Sequence, residues 1–371
     1  MKYNRVNFFN LTWGVLAKLF SGMKLAFLGI IIARYLGPED FGVFSYVISF
    51  VSLFSVLAEF RLQSILVRDF SENKIDPKIL LGSSLKICLF FASIGYLSLS
   101  LIVYILDDNN TMKFFLLIYG LSYFFQIFRF LRAFFISKLL NKLIIRAELI
   151  AAFSLLAIGA MFIYLQLSVI YFVALRVFDV FMFSVLLVIL YTKNEGSILL
   201  WKENVAVRKK LIIDSFPLVL SGFAVIIFNK IDQVMLRHFI DDYAVGQYSA
   251  AVSITGIISF IPIVISESIT PILVSKRKKN IELYKKSRQS FSNILIWGSL
   301  VLSIIIMLLS PYIISILYGS EYNPAIGVMK IFAFKGVFVA MGAVAAQIMI
   351  IEAVHQLAYV KSVIGGIVNI V

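Results

Sequence analysis

The chain has 371 residues, of which 61% are hydrophobic and only 15% charged, with a mean hydropathy of +0.97. An ordinary soluble domain sits nearer half apolar and a quarter charged, so that class is excluded. The net charge of +14 is no sign of a nucleic-acid partner, because the basic residues collect in alternate loops between apolar runs. Cys88 is the only cysteine, which rules out an internal disulfide and a thiolate metal cage.

The N-terminus, Met1 to Arg5, leads into an apolar stretch with no small-residue cleavage site and reads as a retained first helix. Expected membrane spans follow at 11–33, 41–62, 79–105, 112–135, 143–166, 168–191, 211–237, 245–271, 290–317 and 326–351, and an eleventh begins near Leu357. The runs are continuous and do not alternate, so helices are expected and not barrel strands.

Charges punctuate these spans in chain order. Lys24 lies about twelve residues into the first span, ~18 Å deep at the helical rise. The second span ends on Glu59 and Arg61, the third carries Lys86, and the fourth carries Arg129 and Arg132. Arg146 and Glu148 open the fifth span. Arg176 and Asp179 stand at i, i+3 in the sixth and can pair on one face. The seventh carries Asp214 near its start and Lys230 and Asp232 near its end; the tenth carries Lys330 and Lys335. Glu59, Arg61, Arg132, Arg146, Glu148 and Asp214 lie close to span ends, where snorkelling accounts for them. The others lie deeper, where an ionisable residue faces the bundle interior or a watery cavity. Deep cations outnumber deep anions, which favours an anionic ligand such as phosphate or pyrophosphate. An ion pair that merely locks helices together is the competing account of Arg176 and Asp179.

Loop charge sets the expected orientation. Lys2 and Arg5, the Arg68–Lys78 loop, Lys138 and Lys142, the 193–210 stretch and the Lys276–Arg288 loop are basic. The intervening loops, Gly37 to Asp40, Asp107 to Asn110, Asp241-Asp242 and Gly319 to Asn323, are short and acidic or neutral. The basic set and the N-terminus are therefore expected in the cytoplasm.

An internal repeat relates Arg34-Tyr-Leu-Gly-Pro-Glu-Asp-Phe-Gly42-Val-Phe-Ser45 to Arg237-His-Phe-Ile-Asp-Asp-Tyr-Ala-Val-Gly246-Gln-Tyr-Ser249, with one residue inserted. Both copies fall on an outer loop in the same orientation, which predicts a parallel repeat of six-helix halves. The expected organisation is an N-terminal lobe at 1–192, a cytoplasmic basic linker at 193–210 and a C-terminal lobe at 211–371, the last with its C-terminal helices apparently truncated.

Catalytic signatures are absent. The sequence contains no phosphate-binding Gly-x-x-x-x-Gly-Lys-Ser/Thr loop and no His-Glu-x-x-His. The two histidines, His238 and His355, have no ligand neighbours at metal spacing. No loop is long enough for a catalytic domain, so the chain is expected to move something and not to be an enzyme, with no metal or other cofactor.

Ile31-Ile-Ala-Arg-Tyr-Leu-Gly-Pro-Glu-Asp-Phe-Gly-Val-Phe-Ser-Tyr46 resembles the opening motif of bacterial polysaccharide flippases. So do Leu57-Ala-Glu-Phe-Arg-Leu-Gln63, Val67-Arg-Asp69, Ile231-Asp-Gln-Val-Met-Leu236, Val245-Gly-Gln-Tyr-Ser-Ala-Ala251 and the segment from Lys361 to Asn369. The chain thus resembles the polysaccharide transporter group of the multidrug/oligosaccharidyl-lipid/polysaccharide exporter superfamily. Arg61 departs from the pattern, standing where glycine is expected in a Phe-Gly-Leu stretch. The resemblance implies an all-α, two-lobe transporter in the bacterial cytoplasmic membrane, with a central cationic cavity. It implies movement of undecaprenyl-pyrophosphate-linked oligosaccharide repeats from the inner to the outer leaflet for O-antigen or capsule. Membrane lipids, a glycan polymerase and a chain-length regulator are the partners it suggests. On this reading Lys24, Arg176, Lys335, Lys86 and Lys230 are the substrate-binding candidates, and Asp179, Asp232 and Glu267 are candidates for coupling an ion gradient. A drug/cation antiporter of the same fold and a non-transporting scaffold of a glycan assembly complex are the alternatives.

Overall fold

The computed structural model describes the backbone of residues 2–352, and side chains from Lys24 onward except at 25, 26, 267, 271 and 350. The expected eleventh span therefore lies outside the described residues. Within them the protein is helical, and nine segments are long and apolar enough to cross a bilayer. α1, Lys2–Glu59, carries a kink at Gly37, so the spans expected at 11–33 and 41–62 are its two arms. Gly37 stands at φ 75, a left-handed conformation that glycine adopts without a Cβ penalty, and Pro38 opens the second arm.

α2 (Leu62–Glu72) and α3 (Pro77–Leu106) follow. The fourth expected span is broken: α4 (Asn110–Gly120), α5 (Ser122–Gln126), a 3₁₀ turn (Ile127–Phe130) and α6 (Leu131–Ser137). α7 (Asn141–Tyr164), α8 (Val169–Glu195), α9 (Val205–Phe239), α10 (Asp242–Lys279) and α11 (Ile281–Leu317) correspond one to one with expected spans. α12 (Ala325–Phe332) and α13 (Lys335–Glu352) divide the tenth.

The polar punctuation read from the sequence does local work. Asp76 accepts from the Lys78 N–H at 2.8 Å, Asn109 from Thr111 at 2.9 Å and Asp241 from Ala244 at 2.7 Å. Each satisfies an orphan donor at a helix start, which hydrocarbon would not hydrate.

The described contacts divide the chain into two compact units. The first is Met1–Lys24 with Val43–His238; the second is Leu25–Gly42 with Phe239–Val371. In the first unit, Phe134 meets Phe70, Phe135 and Tyr191 edge to face. The small Gly82-Ser-Ser motif of α3 accommodates the linker chain. A Cβ at Gly82 would lie 2.2 Å from the Lys202 carbonyl oxygen, and Ser83 Oγ accepts from the Asn204 N–H at 3.2 Å.

In the second unit, the two copies of the sequence repeat meet. A Cβ at Gly42 would lie 1.7 Å from the Asp242 carbonyl oxygen, and one at Gly246 would lie 1.8 Å from the Pro38 carbonyl oxygen. The contact is reciprocal: each glycine, four residues into its helix, faces the first carbonyl of the other. Glycine lets the two backbones touch, as at close crossings in membranes. Tyr322 donates to the Ala33 carbonyl at 2.8 Å, and Arg34 Nη1 to that of Ile316 at 3.1 Å. Gln247 Nε2 donates to the Glu321 carbonyl at 2.8 Å. Further along this unit, α10, α11 and α13 share a core of Leu273, Tyr284, Leu295 and Ala340.

Candidate functional site

The first unit holds a buried ionic network. Lys24 Nζ donates to Asp179 Oδ1 at 2.7 Å and lies 4.0 Å from Glu148 Oε2. Arg176 Nη1 donates to the other oxygen of Asp179 at 3.1 Å, across the i, i+3 spacing expected for that pair. Arg132 Nη1 donates to Glu148 Oε1 at 3.1 Å, and Arg129 Nη1 to Glu59 Oε1 at 3.0 Å. The guanidinium carbons of Arg129 and Arg132 lie 5.9 and 5.4 Å from the Phe183 ring, within cation–π range.

Lys24 is 7% exposed and Glu148 is 3% exposed, so neither reaches water on its own. Ions held this far from water require partners, and here each has one. Glu148 therefore does not snorkel: it joins Arg132 to the Lys24 cluster. Sequence depth placed it near a span end, but its helix face turns inward. Asp214 likewise is no lone interfacial acid, since Arg68 Nη2 donates to it at 2.6 Å.

Beside this network lies a cavity of about 320 Å³, lined among others by Glu59, Arg61, Gln126, Arg129 and Arg132. Its construction follows from the 3₁₀ turn. In such a turn residues three apart eclipse, so Gln126, Arg129 and Arg132 form one row. The spacing was visible in the sequence, but the departure from α-helical geometry was not.

Of the expected substrate-binding residues, the structure brings Lys24 and Arg176 together on Asp179. Lys86 is exposed on α3. Lys230 and Asp232 are half-buried on α9, and Lys335 is half-buried at the start of α13, with Nζ 6.0 Å from the Phe332 ring centroid. The side chain of Glu267 lies outside the described residues. Sequence reasoning missed Glu59 and Glu148 as partners of the arginines, and assigned Arg61 and Arg132 to the interface alone.

Comparisons with known proteins agree with this architecture. The fold resembles an inward-facing multidrug resistance MATE family transporter of the MOP superfamily, with a TM-score of 0.62 at 13% identity over 90% of this chain and 83% of that one. It resembles a eukaryotic MATE transporter with a TM-score of 0.56 at 12% identity, over 94% and 83%. A MOP superfamily transporter from Pyrococcus furiosus, described as having a binding pocket of reversed polarity, aligns at 0.51 and 13% identity, over 97% and 90%. No sequence among the curated proteins matches the chain. The family model described as polysaccharide biosynthesis protein matches residues 9–276, well over half of the chain. With its membrane-length helices and a fold that resembles these transporters, the chain is a multi-pass membrane protein that belongs to the polysaccharide biosynthesis protein family.

Proposed function

We propose that this chain is a flippase for undecaprenyl-pyrophosphate-linked oligosaccharide repeat units, moving them from the inner to the outer leaflet of the bacterial cytoplasmic membrane for O-antigen or capsule. The observation that carries this reading is the charge balance around the cluster in the first unit. Lys24, Arg61, Arg129, Arg132 and Arg176 stand there against Glu59, Glu148 and Asp179. An excess of cations in a low-dielectric setting attracts an anionic head group. The family supports a glycan-related cargo.

Lys24 and Arg176 share one carboxylate in the resting structure. A pyrophosphate group competes with Asp179 for them, with Arg176 offering two parallel donors and Lys24 a point charge. Asp179 is therefore the first candidate for coupling head-group binding to an ion gradient. Lys335, Lys86 and Lys230 are further substrate-binding candidates, and Asp232 and Glu267 further coupling candidates. The basic loops and the N-terminus face the cytoplasm, and the halves at 1–192 and 211–371 act as the two lobes, joined by the linker at 193–210. A glycan polymerase and its chain-length regulator receive the product.

A drug/cation antiporter is the second reading, because the solved relatives include multidrug MATE transporters. The buried carboxylates weigh against it. Glu148 and Asp179 are the acids a cationic drug would need, and both already hold protein cations.

The test is complementation of a flippase-deleted, glycan-producing strain, reading surface glycan and the leaflet of the lipid-linked precursor at matched expression. Export by the native chain, lost in Lys24→Ala and Arg176→Ala with precursor held inside, is the expected result. Dye efflux independent of glycan status would replace this reading with the antiporter. Export that survives removal of every deep cation, yet fails on deletion, would replace it with a scaffold.

A further inference from the structure

We propose that the cavity beside the ionic network is a binding site for a phosphate-class oxyanion, and that Arg61 is its specificity-determining residue. The physiological source we assign, the pyrophosphate of a lipid-linked glycan, rests on the flippase reading above; the anion site itself does not.

Phe60 and Arg61 both stand in the left-handed region, at φ 46 and 49, where α1 breaks into α2. Such conformations strain any residue with a Cβ, and successive strained residues persist where the surroundings require them. A position suited to glycine here holds arginine, and the arginine lines the cavity. Its side chain lies against α9 at Gly222, where a Cβ would come within 2.6 Å of Arg61 Nε. Among the described residues Arg61 makes no ion pair. The break also turns the first turn of α2 toward the cavity, which Leu62, Gln63 and Ser64 help to line, and no side chain caps that turn. Free N–H groups and the positive end of the helix dipole therefore face the same space.

A second observation points independently to a ligand. Gln126 is 6% exposed, and its Nε2 has no hydrogen-bond partner among the described residues. The same holds for the buried Nε atoms of Arg129 and Arg132. Buried donors left open are costly, and the 3₁₀ row aligns all three along one wall of the cavity. Three arginines against one carboxylate, Glu59, line a space whose size falls at the small end of ligand pockets. Every open polar group identified on that wall is a donor, which selects an anion rich in acceptors. Guanidinium groups match phosphoryl oxygens in geometry as well as charge.

The experiment is calorimetric titration of the purified chain, in nanodiscs of zwitterionic lipid, with inorganic pyrophosphate. Arg61→Gly is the main variant, because glycine suits the left-handed backbone and the fold is expected to survive. Arg129→Lys is the second, keeping the charge and losing the fork. Saturable binding that weakens at least about tenfold in Arg61→Gly, with thermal unfolding in the absence of anion no lower than that of the native chain, is the expected result. Absence of binding to the native chain, or equal binding by Arg61→Gly, would overturn the site. Two further arms assign the source. Displacement of pyrophosphate by undecaprenyl pyrophosphate supports the lipid-linked substrate. Displacement by exchanging the nanodisc lipid for phosphatidylglycerol keeps the site and overturns that source in favour of a membrane phosphate. Glycan export in the deleted strain is read in parallel. Binding lost in Arg61→Gly while no form exports glycan overturns the flippase reading and leaves the anion site standing.

Discussion

The crossing of Gly42 and Gly246 carries the sharpest stability prediction. In Gly42→Ala the new methyl would sit 1.7 Å from the Asp242 carbonyl oxygen, whereas ordinary contact begins at 3.4 Å. The obstructing atom is backbone, in the first turn of α10, and no rotamer change can move it. The second arm of α1 and α10 must therefore part by roughly 1.7 Å, forfeiting the contacts of the crossing. Overpacking of this kind costs about 1–3 kcal/mol, and a backbone obstruction belongs at the upper end. A loss of about 3 kcal/mol corresponds to a fall in Tm on the order of 6–12 °C for a unit of this size. Gly246→Ala meets the Pro38 carbonyl in the same way and should behave alike. Because one separation accommodates both methyls, the double variant should fall well short of the sum of the two. Gly256→Ala is the control: it lies in the same helix with nothing within 4 Å, so alanine there should be neutral or stabilise by up to about 1 kcal/mol. Thermal unfolding of the detergent-purified variants is the assay. A Gly42→Ala protein melting with the native one, or fully additive losses in the double variant, would refute the crossing as drawn.

Asp179→Asn strands Lys24 and Arg176 in a buried setting, and unfolding should show a loss of about 3–5 kcal/mol, partly recovered in Asp179→Glu. Arg61→Gly should raise stability by about 1–2 kcal/mol in the absence of anion, by relieving a left-handed arginine, and the same melts detect it. Burial pushes the Tyr318 and Tyr322 phenols well above the ordinary tyrosine value. Their raised values mean that the folded state holds its protons more tightly. Their contribution is thus intact below about pH 10 and is lost as pH rises through the folded values. Ultraviolet titration should find both protonated at pH ~10, and Tyr322→Phe should cost about 1 kcal/mol through the lost bond to Ala33.

Much of the fold was legible in the sequence because hydrocarbon tolerates so few arrangements of backbone. An apolar run of span length must be a helix, and its ends must be satisfied, so the Asp107 to Asn110 and Asp241-Asp242 loops were visible as punctuation, and Asn109 and Asp241 in them act as caps. The repeat was legible for a similar reason. Glycine at equivalent places in both copies answers one steric demand, made reciprocally by Pro38 and Asp242. The pairing of Arg176 with Asp179 needed only the pitch of a helix.

Depth along a span says nothing about the direction a side chain faces, and there the reading of the site was incomplete. Lys86 and Lys24 both read as deep, yet one is exposed and the other buried against two carboxylates. Glu148 read as interfacial, yet its face of α7 turns to Lys24 and Arg132. The greater gap lies in the fourth span. At an α-helical pitch Gln126 and Arg132 stand about 120° apart around the axis, with Arg129 midway between them. The 3₁₀ turn closes that angle by bringing residues three apart into register. A hydropathy profile does not register the change, because Ile127, Phe128 and Phe130 remain apolar either way. Arg132, which read as an interfacial charge, and Arg129, which read as a deeper one, join Gln126 in one wall of donors, and the strained Arg61 lines the same cavity. A local break in helical pitch, and not the composition of the span, makes this part of the bundle suited to an anion.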